Sequence, residues 1–258
     1  MRTVPLVTVL ALAPALAAAQ QPFNWQGKLA AGKTIEVITT NGHVEASGVS
    51  GGSIQVTATK RAGRHGDPDD VDIKVVEHDG GVTICAVYPS PRGDRPNECR
   101  PGGRGRNETR NNDVEVDFDV KVPAGVKFVG RSVNGSVDVE SLSSDAEAYT
   151  VNGDVRVTAT GVVEANTVNG SIVATMGRGD WSDGLAFETV NGSVTLTMPQ
   201  DLSADLEMET VNGSIESDFP ITVTGKVNPQ QLRGRVGQGG RDLDIKTVNG
   251  SIRLKRRA

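Results

Sequence analysis

The chain has 258 residues, a formal net charge of −5 at pH 7 and an aromatic content of 3%. A mildly acidic chain is a poor candidate for nucleic-acid binding, because that affinity depends on neutralising phosphates with Lys and Arg. Val, Thr, Gly and Asp are abundant and no long amphipathic helical pattern occurs, so the composition favours β-strands joined by turns.

The first nineteen residues have the layout of a secretory signal. The positive start Met1-Arg2 precedes an apolar run from Val4 to Leu16, and the small residues Ala17 to Ala19 follow. The run is too short to span a bilayer, and no later stretch is apolar enough to do so. We therefore predict that residues 1–19 are a signal peptide and that the mature chain works in the periplasm, at the cell surface or outside the cell.

Five strands are predicted before the regular repeats. We expect residues 20–125 to form an N-terminal β cap, because an exposed first coil would offer unpaired backbone to other chains. The turn Asp79-Gly80-Gly81 is typical of a tight connection between the third and fourth strands. The predicted strands cover residues 34–39, 53–60, 71–77, 82–87 and 114–122.

Residues 88–113 form an insertion rich in Pro, Gly and Arg. Such a composition cannot bury a core, so the sequence predicts a disordered, mobile loop. Two interpretations stay open: a solvated insertion without a role, or a basic binding loop for an anionic envelope polymer or lipid headgroup. The candidate binding residues are Arg92, Arg95, Arg100, Arg104, Arg106 and Arg110.

Cys85 and Cys99 are the two cysteines of the chain. Export to an oxidising compartment favours a disulfide, and a loop of this size contributes about 3 kcal/mol in the chain-entropy model. A metal pair is the alternative, but the His residues are scattered and show no ligand spacing. We predict a disulfide, no metal site and no cofactor.

Six copies of Val-Asn-Gly, each preceded by Ser or Thr, occupy the second half of the chain. Their spacings are 18, 17, 22, 21 and 37 residues, and we interpret the last as two steps with one copy lost. A looser copy is Thr40-Asn41-Gly42-His43. Repetition at such a period is typical of an array in which each unit stacks on the next. The pairs are Asn134 and Gly135, Asn152 and Gly153, Asn169 and Gly170, Asn191 and Gly192, Asn212 and Gly213, and Asn249 and Gly250.

Apolar and polar residues alternate on both sides of each Asn-Gly pair. Alternation with a period of two puts one face of a strand in a core and the other in water. Each unit is therefore predicted to be two short strands that meet at Asn-Gly. The column three residues after Asn should be internal: Val137, Val155, Ile172, Val194, Ile215 and Ile252.

Two folds compete for this pattern. Asn-Gly between alternating runs is a strong signal for a β-hairpin, and a series of hairpins would give an antiparallel meander. In a solenoid, Asn-Gly is instead a corner and each coil lies parallel on the last. We favour the solenoid, because equal residues recur in each column and stacked Asn side chains then hydrogen-bond as a ladder. A calcium site or glycosylation at these Asn residues is less well supported than this structural turn ladder.

The Val before each Asn leaves one question open. Strict alternation would point it outward, as an apolar stripe that seats a partner. A kink at the corner would turn it into the core, and this buried position is the one we favour. The column is Val133, Val151, Val168, Val190, Val211 and Val248.

Three segments resemble the bacterial putative-adhesin domains, including relatives of the head domain of putative auto-transporter adhesins. They are the repeated Thr-Val-Asn-Gly-Ser-Ile, the segment from Val120 to Val126 and the segment from Arg235 to Gly240. The resemblance runs from about Phe23 to the end of the chain. It implies an all-β, right-handed parallel β-solenoid in the cell envelope, as one domain (residues 20–258) with regular repeats in 126–258. It carries no catalytic signature.

The sequence favours a non-catalytic envelope protein that binds or scaffolds a protein, glycan or anionic polymer. The alternative is a polysaccharide lyase or glycosidase, which needs paired carboxylates and usually sugar-stacking aromatic residues. The outward columns change charge irregularly, and the best local candidate for sugar contact is Asp180-Trp181-Ser182-Asp183. No nucleophile elbow of the form Gly-x-Ser-x-Gly occurs. We therefore predict that the protein is not an enzyme.

Overall fold

The computed structural model of the protein describes residues 22–93, 95–182, 184–223 and 228–257, so the predicted signal peptide lies outside the described residues. This part of the chain forms twenty-one β-strands and two 3-10 helices of three residues each, at Pro68–Asp70 and Pro101–Gly103. No helix within it is long and apolar enough to cross a membrane. The protein is all-β, as the composition predicts.

The strands form two sheets, and the chain passes from one to the other at each Asn-Gly pair. The first sheet has ten strands in the spatial order β1 (Phe23–Gly27), β4 (Ile54–Arg61), β7 (Glu115–Pro123), β3 (Val44–Val49), β9 (Val137–Leu142), β11 (Val155–Ala159), β13 (Ile172–Met176), β15 (Val194–Met198), β21 (Ile252–Arg256) and β17 (Ile215–Ser217).

The second sheet has eleven strands and faces the first across the core. Its spatial order is β18 (Thr222–Val223), β19 (Gln231–Val236), β16 (Ala204–Asn212), β20 (Asp242–Asn249), β14 (Leu185–Glu188), β12 (Val163–Asn166), β10 (Ala146–Tyr149), β8 (Lys127–Arg131), β2 (Thr34–Ile38), β6 (Gly81–Val87) and β5 (Asp72–His78).

We call the two strands that meet at one Asn-Gly pair a rung, named by its Asn. Neighbouring rungs pair in parallel and in register, so that equal positions of the repeat lie opposite each other. Val155, for example, lies opposite Val137 on one side and Ile172 on the other. This stacking makes the fold β-solenoid-like and contradicts the antiparallel meander.

The core is filled by the columns that the sequence predicts to be internal. The residue three positions after Asn is fully buried in five of the six regular rungs, and Ile215, at the end of the stack, is half-buried. Each such side chain contributes about 1.5–3 kcal/mol when it is buried completely. The alternation of apolar and polar residues therefore determines which face of each strand points inward.

The order of the rungs in the stack differs from their order in the sequence. Asn249 pairs with Asn191 on one side and with Asn212 on the other, so the last repeat lies between the fourth and the fifth. The interpretation of the 37-residue spacing as two steps with a lost copy is therefore wrong. The intervening chain instead contains β17, β18 and β19, and β19 pairs antiparallel with β16.

Charges on the outer face of the second sheet favour this order. Lys246 lies opposite Glu188 in one neighbouring strand and opposite Glu209 in the other. If the rungs followed the sequence, Glu188 and Glu209 would lie opposite each other, and like charges in that position destabilise a sheet. In the observed order, the cation of Lys246 separates these two carboxylates.

The front of the stack has a similar arrangement. The Asn41 rung lies between the Asn134 rung and the strands β6 and β7, which pair with it in parallel. Strands β4, β1 and β5 then add in antiparallel orientation. Antiparallel strands thus cover the front of both sheets, and at the other end β17 lies outside the last strand of the chain.

The described part of the insertion at 88–113 contains a 3-10 helix and is linked to β6 by a disulfide. Cys85 and Cys99 lie with their Cα atoms 5.6 Å apart and form a disulfide. The Asn97 side chain donates hydrogen bonds to the backbone carbonyls of Tyr88 and Glu108, at 2.9 and 2.7 Å. Polar side chains and one disulfide therefore give the described part of this segment a defined position without a hydrophobic core of its own.

Tyr88 closes the front end of the Asn column. Its side chain is 1% exposed, and its hydroxyl accepts a hydrogen bond from Asn41 N (3.3 Å) and donates one to Val114 O (2.8 Å). Burial raises the pKa of Tyr88 to about 12, so the phenol keeps its proton at neutral pH. The hydroxyl therefore satisfies backbone groups at the end of the stack.

We expect Tyr88→Phe to lower the free energy of unfolding by about 1–3 kcal/mol, because it leaves a partly buried amide and a buried carbonyl without this partner. Chemical denaturation followed by circular dichroism measures the loss. Tyr149→Phe is the control, since its hydroxyl bonds partly exposed carboxylates that water can reach. An equal loss in both variants would contradict the role of Tyr88 as a cap.

Gln230 has the corresponding position at the other end of the column. Its backbone carbonyl accepts from Thr210 N (2.9 Å), and its side-chain amide donates to Val211 O (2.8 Å). Inside the stack, the backbone of the next rung makes these contacts, as Asn249 N does with Val190 O. One side chain thus replaces part of a missing rung.

Candidate binding surfaces

The Asn side chains form a continuous ladder along the stack. Each Nδ2 donates to the Oδ1 of the preceding Asn at 2.7–2.9 Å, from Asn41 at the front to Asn212 at the end. An amide has two N–H groups and two lone pairs on its oxygen, so each Asn keeps one donor and one acceptor for another partner. The side chains of the six regular rungs are exposed, and the ladder fixes their orientation.

The Gly after each Asn is required by close packing of the backbone. A Cβ atom built on Gly192 would lie far inside van der Waals contact with the carbonyl of Gly170, one rung away, and Gly153, Gly170 and Gly250 face the same obstacle. Within this Gly column, positive φ values occur at the two front members, Gly42 and Gly135, and at none of the other described members. The corner therefore needs Gly mainly because two rungs approach each other here.

The Ser or Thr of each repeat points inward and joins neighbouring rungs. All six are at most 6% exposed. The hydroxyl of Thr189, for example, donates to Gly170 O at 2.8 Å, and the other five hydroxyls make the equivalent bond at 2.8–3.0 Å. A hydroxyl at this position satisfies a carbonyl that would otherwise be buried without a partner.

The Val column points outward, so the buried position that the sequence analysis favours is wrong. Strict alternation continues through the corner: the hydroxyl residue is internal, and the next residue is external. We call this column the Val ridge. Its members are between 38% and 50% exposed: Val133, Val151, Val168, Val190, Val211 and Val248.

The Val ridge and the Asn ladder make one strip without charged residues. Six rungs at a strand spacing of about 4.8 Å give the strip a length of roughly 24 Å. Among the described residues, Val75 and Val173 are the other large hydrophobic side chains that are comparably exposed, and neither belongs to the strip. This strip is therefore the candidate binding surface of the described chain.

The six candidate arginines of the insertion do not all remain available. Arg100 pairs with Glu98 at 2.9 Å, and Arg106 pairs with Glu108 at 3.2 Å. Arg92 and Arg95 flank a turn closed by a hydrogen bond from Arg95 N to Arg92 O. No described carboxylate lies within 4.0 Å of the guanidinium groups of four members: Arg92, Arg95, Arg104 and Arg110.

A buried carboxylate, which the sequence analysis missed, attaches the insertion to the second sheet. Glu36 is 4% exposed and accepts hydrogen bonds from Arg131 Nε (2.9 Å), Thr83 Oγ1 (2.9 Å) and Gly102 N (2.8 Å). Gly102 belongs to the 3-10 helix of the insertion. The charge of Glu36 is thereby compensated by one cation and two neutral donors.

A cleft of about 400 Å³ lies on the outer face of the second sheet beside the predicted sugar-contact segment. Glu147 and Glu164 line it, and the Tyr149 hydroxyl lies within hydrogen-bond distance of both carboxylates, at 3.0 and 2.8 Å. Burial and these two charges hold the pKa of Tyr149 well above its usual value, so the phenol is protonated. This pair is not among the residues predicted from the sequence, although both carboxylates occupy one column of the repeat.

The Glu147–Glu164 pair does not have the geometry of a glycosidase pair. The Tyr149 oxygen occupies the space between the two carboxylates, where a glycosidic bond would have to lie. Trp181 is 6% exposed, and its Nε1 donates to Asp242 O at 3.0 Å, so its ring offers no stacking face. Asp183 lies outside the described residues. Within the described chain, no group of three or more His, Cys, Asp or Glu residues is placed to hold a metal ion.

The stacked rungs and the exposed uncharged strip define a β-solenoid-like repeat protein with an elongated surface. Residues 127–255 match the family model described as Toastrack DUF4097. The chain therefore belongs to the Toastrack DUF4097 family.

Two solved structures are similar to this chain. One is a putative cell adhesion protein from Clostridium sporogenes, with 14% identity over 92% of this chain and 100% of that chain and a TM-score of 0.45. The other is a putative adhesin from Bacteroides fragilis, with 13% identity over 92% of this chain and 98% of that chain and a TM-score of 0.33. Among curated proteins, none matches the chain significantly.

Proposed function

We propose that the protein is an exported, non-catalytic, adhesin-like module of the cell envelope and that it binds its ligand through the Val ridge. The proposal treats residues 20–258 as one right-handed solenoid domain, with a capping half (20–125) and regular repeats (126–258). The exposure of six aligned Val side chains is the observation that carries it. Exposed apolar surface is costly in water, and burial against a ligand recovers about 25 cal/mol per Å².

The rigidity of the strip supports this function. The Asn ladder, the buried hydroxyl column and the parallel backbone pairing hold each rung at a fixed distance from the next. A surface that is rigid before binding loses little conformational entropy on binding, which favours affinity. The arrangement of Tyr149 between Glu147 and Glu164 supports a non-catalytic role, because it leaves no space for a reacting bond.

The double variant Val168→Lys and Val190→Lys tests the proposal. We expect the affinity for cells of the source organism to fall at least tenfold, because two charged side chains must lose their water at the interface. A tenfold loss of affinity corresponds to about 1.4 kcal/mol. The free energy of unfolding should change by less than about 1 kcal/mol, because both side chains lie on the surface. Flow cytometry with labelled protein and a urea titration provide the two measurements.

Val173→Lys is the matched control. Val173 is 46% exposed, yet it lies on the outer face of the first sheet and outside the ridge. The control should bind like the unmodified protein. A similar loss of binding in the control, or full binding by the double variant, would show that the ridge is not the binding surface.

A further inference from the structure

We propose that the ligand of the Val ridge is the Val ridge of a second copy of this chain, packed face to face and antiparallel. This inference rests on the proposed function, because it takes the ridge as the binding surface. It adds the identity of the partner and the orientation of the pair. Three features of the strip support it: its period, its distribution of charge and its size.

The period of the strip restricts its partners. Val and Asn recur at the spacing of paired strands, about 4.8 Å. An α-helix repeats every 5.4 Å or so, and one face of an extended strand repeats about every 6.8 Å, so neither stays in register with six rungs. A second stack of strands does stay in register. Identical columns of small side chains and Asn ladders are also the surfaces that interdigitate in dry strand-on-strand interfaces.

Charge beside the strip favours the antiparallel orientation. The column two positions before the Val ridge, read along the stack, is Arg131, Tyr149, Asn166, Glu188, Lys246 and Glu209. In the antiparallel pair, the two-fold axis lies in the interface and is perpendicular to the ridge. It places this column opposite the same column of the second copy, which is read in reverse order. Arg131 then faces Glu209, Tyr149 faces Lys246 and Asn166 faces Glu188. The first pair joins opposite charges, the third can hydrogen-bond, and no pair brings like charges together. Within each copy, Arg131 also compensates Glu36, and the Tyr149 hydroxyl lies between Glu147 and Glu164.

The strip also avoids the general repulsion between two copies. The chain has a net charge of −5, so most orientations bring like charges together. The Val and Asn columns contain no charged residue, and the Ser column beyond them contains one, Asp154. A two-fold axis perpendicular to the ridge places the Asp154 rung opposite the Asn249 rung, whose equivalent residue is Ser251.

The size of the strip sets the strength of the pair. Six Val and six Asn residues per copy are fewer than the roughly 20–30 residues per side of a standard interface. We therefore expect a weak dimer, with a dissociation constant in the range of about 10 μM to 1 mM. Weak contacts of this kind hold two surfaces together when many copies engage at once, because linked sites raise the effective concentration. Such a pair suits adhesion between like cells.

Sedimentation equilibrium of the mature chain, between 1 μM and about 2 mM, tests the inference. The average mass of the unmodified protein and of the Val173→Lys control should rise well above the monomer mass at the high end. The Val168→Lys and Val190→Lys double variant should show a dissociation constant at least tenfold higher. A monomeric unmodified protein at the highest concentration, or unchanged association of the double variant, would overturn the inference.

Cross-linking tests the orientation. The antiparallel pair places Val168 of one copy opposite Val190 of the other, whereas a parallel pair places Val168 opposite itself. A mixture of Val168→Cys and Val190→Cys chains should therefore form mainly the mixed disulfide under oxidation. Preferential Val168→Cys homodimers would overturn the antiparallel arrangement.

The two proposals fail in different ways. If the unmodified protein is monomeric but the double variant still loses binding to cells, the ridge binds a different ligand and only the present inference fails. If the double variant keeps both self-association and cell binding, the proposed function fails as well.

Discussion

A chain that ends at Arg241 is expected not to fold. The deleted segment forms β20 and β21, which lie between the Asn191 rung and the Asn212 rung in both sheets. Its loss removes four side chains that are at most 1% exposed, each contributing about 1.5–3 kcal/mol: Leu243, Ile245, Ile252 and Leu254. Since the total stability of a domain is about 5–15 kcal/mol, we expect no cooperative unfolding transition.

The size of this effect follows from the order of the rungs. In a repeat array stacked in sequence order, removal of the last unit shortens the array by one nearest-neighbour contact. Here the deletion removes an internal rung and separates two groups of strands. If the two groups closed together, the Asn191 and Asn212 rungs would place Glu188 opposite Glu209, and this repulsion would weaken the new contact.

Thermal unfolding followed by far-UV circular dichroism and limited proteolysis measure the outcome. A chain that ends at Arg256 is the control, since it keeps β20 and β21 entire and loses the hydrogen bond from Arg257 N to Met198 O. The control should unfold cooperatively near the midpoint of the full chain. Cooperative unfolding of the chain that ends at Arg241, within a few degrees of the control, would show that the last rung is not an essential internal layer.

The sequence predicts the fold class because the repeat combines two independent signals. Alternation with a period of two identifies the internal columns, and the identity of residues within a column indicates stacking of like on like. Val137, Val155 and Ile172 are buried, and they lie opposite one another in parallel register, as the columns predict. Both signals can be read from one sequence, because the first lies within each repeat and the second is a comparison between repeats.

The order of the rungs is not a local property, and the repeat motif does not encode it. Every Thr-Val-Asn-Gly-Ser corner fits equally well on every other, so corner chemistry cannot distinguish the observed order from the sequential one. The information lies in a different column, where Lys246 separates Glu188 from Glu209. That signal is weak, because a single pair of exposed charges contributes at most about 1 kcal/mol.

The outward orientation of the Val ridge could have been predicted from the sequence. The buried Phe187 and Thr189 and the exposed Val190 continue the alternation of their strand, and the corner does not interrupt it. Residues that meet only through the stacking were harder to predict. Glu36 contacts Gly102 and Arg131, which are 66 and 95 residues away in the sequence, and nothing in the local pattern connects them.

Gly192→Ala is expected to destabilise the protein by about 3 kcal/mol or more. The added methyl group would overlap the carbonyl group of Gly170 and the backbone nitrogen of Ser171, which belong to the neighbouring rung. Backbone atoms in two sheets cannot move aside as a flexible side chain can, and overpacking a rigid site usually costs about 1–3 kcal/mol. Separation of the rungs would also stretch the hydrogen bond from Thr189 to Gly170 O and the ladder bond between Asn191 and Asn169.

Gly184→Ala is the control that separates this contact from the general effect of removing a glycine. A Cβ on Gly184 would meet only the Cβ of Asp242, at an ordinary 3.9 Å, and Gly184 has no positive φ. Replacing such a glycine restricts the unfolded chain and stabilises the fold by about 0.4–1 kcal/mol. The two substitutions should therefore have opposite signs in a urea titration. Equal effects would mean that the rungs are not in close contact at the Asn-Gly corner. The conformation of the turn would then be the reason for Gly in every repeat.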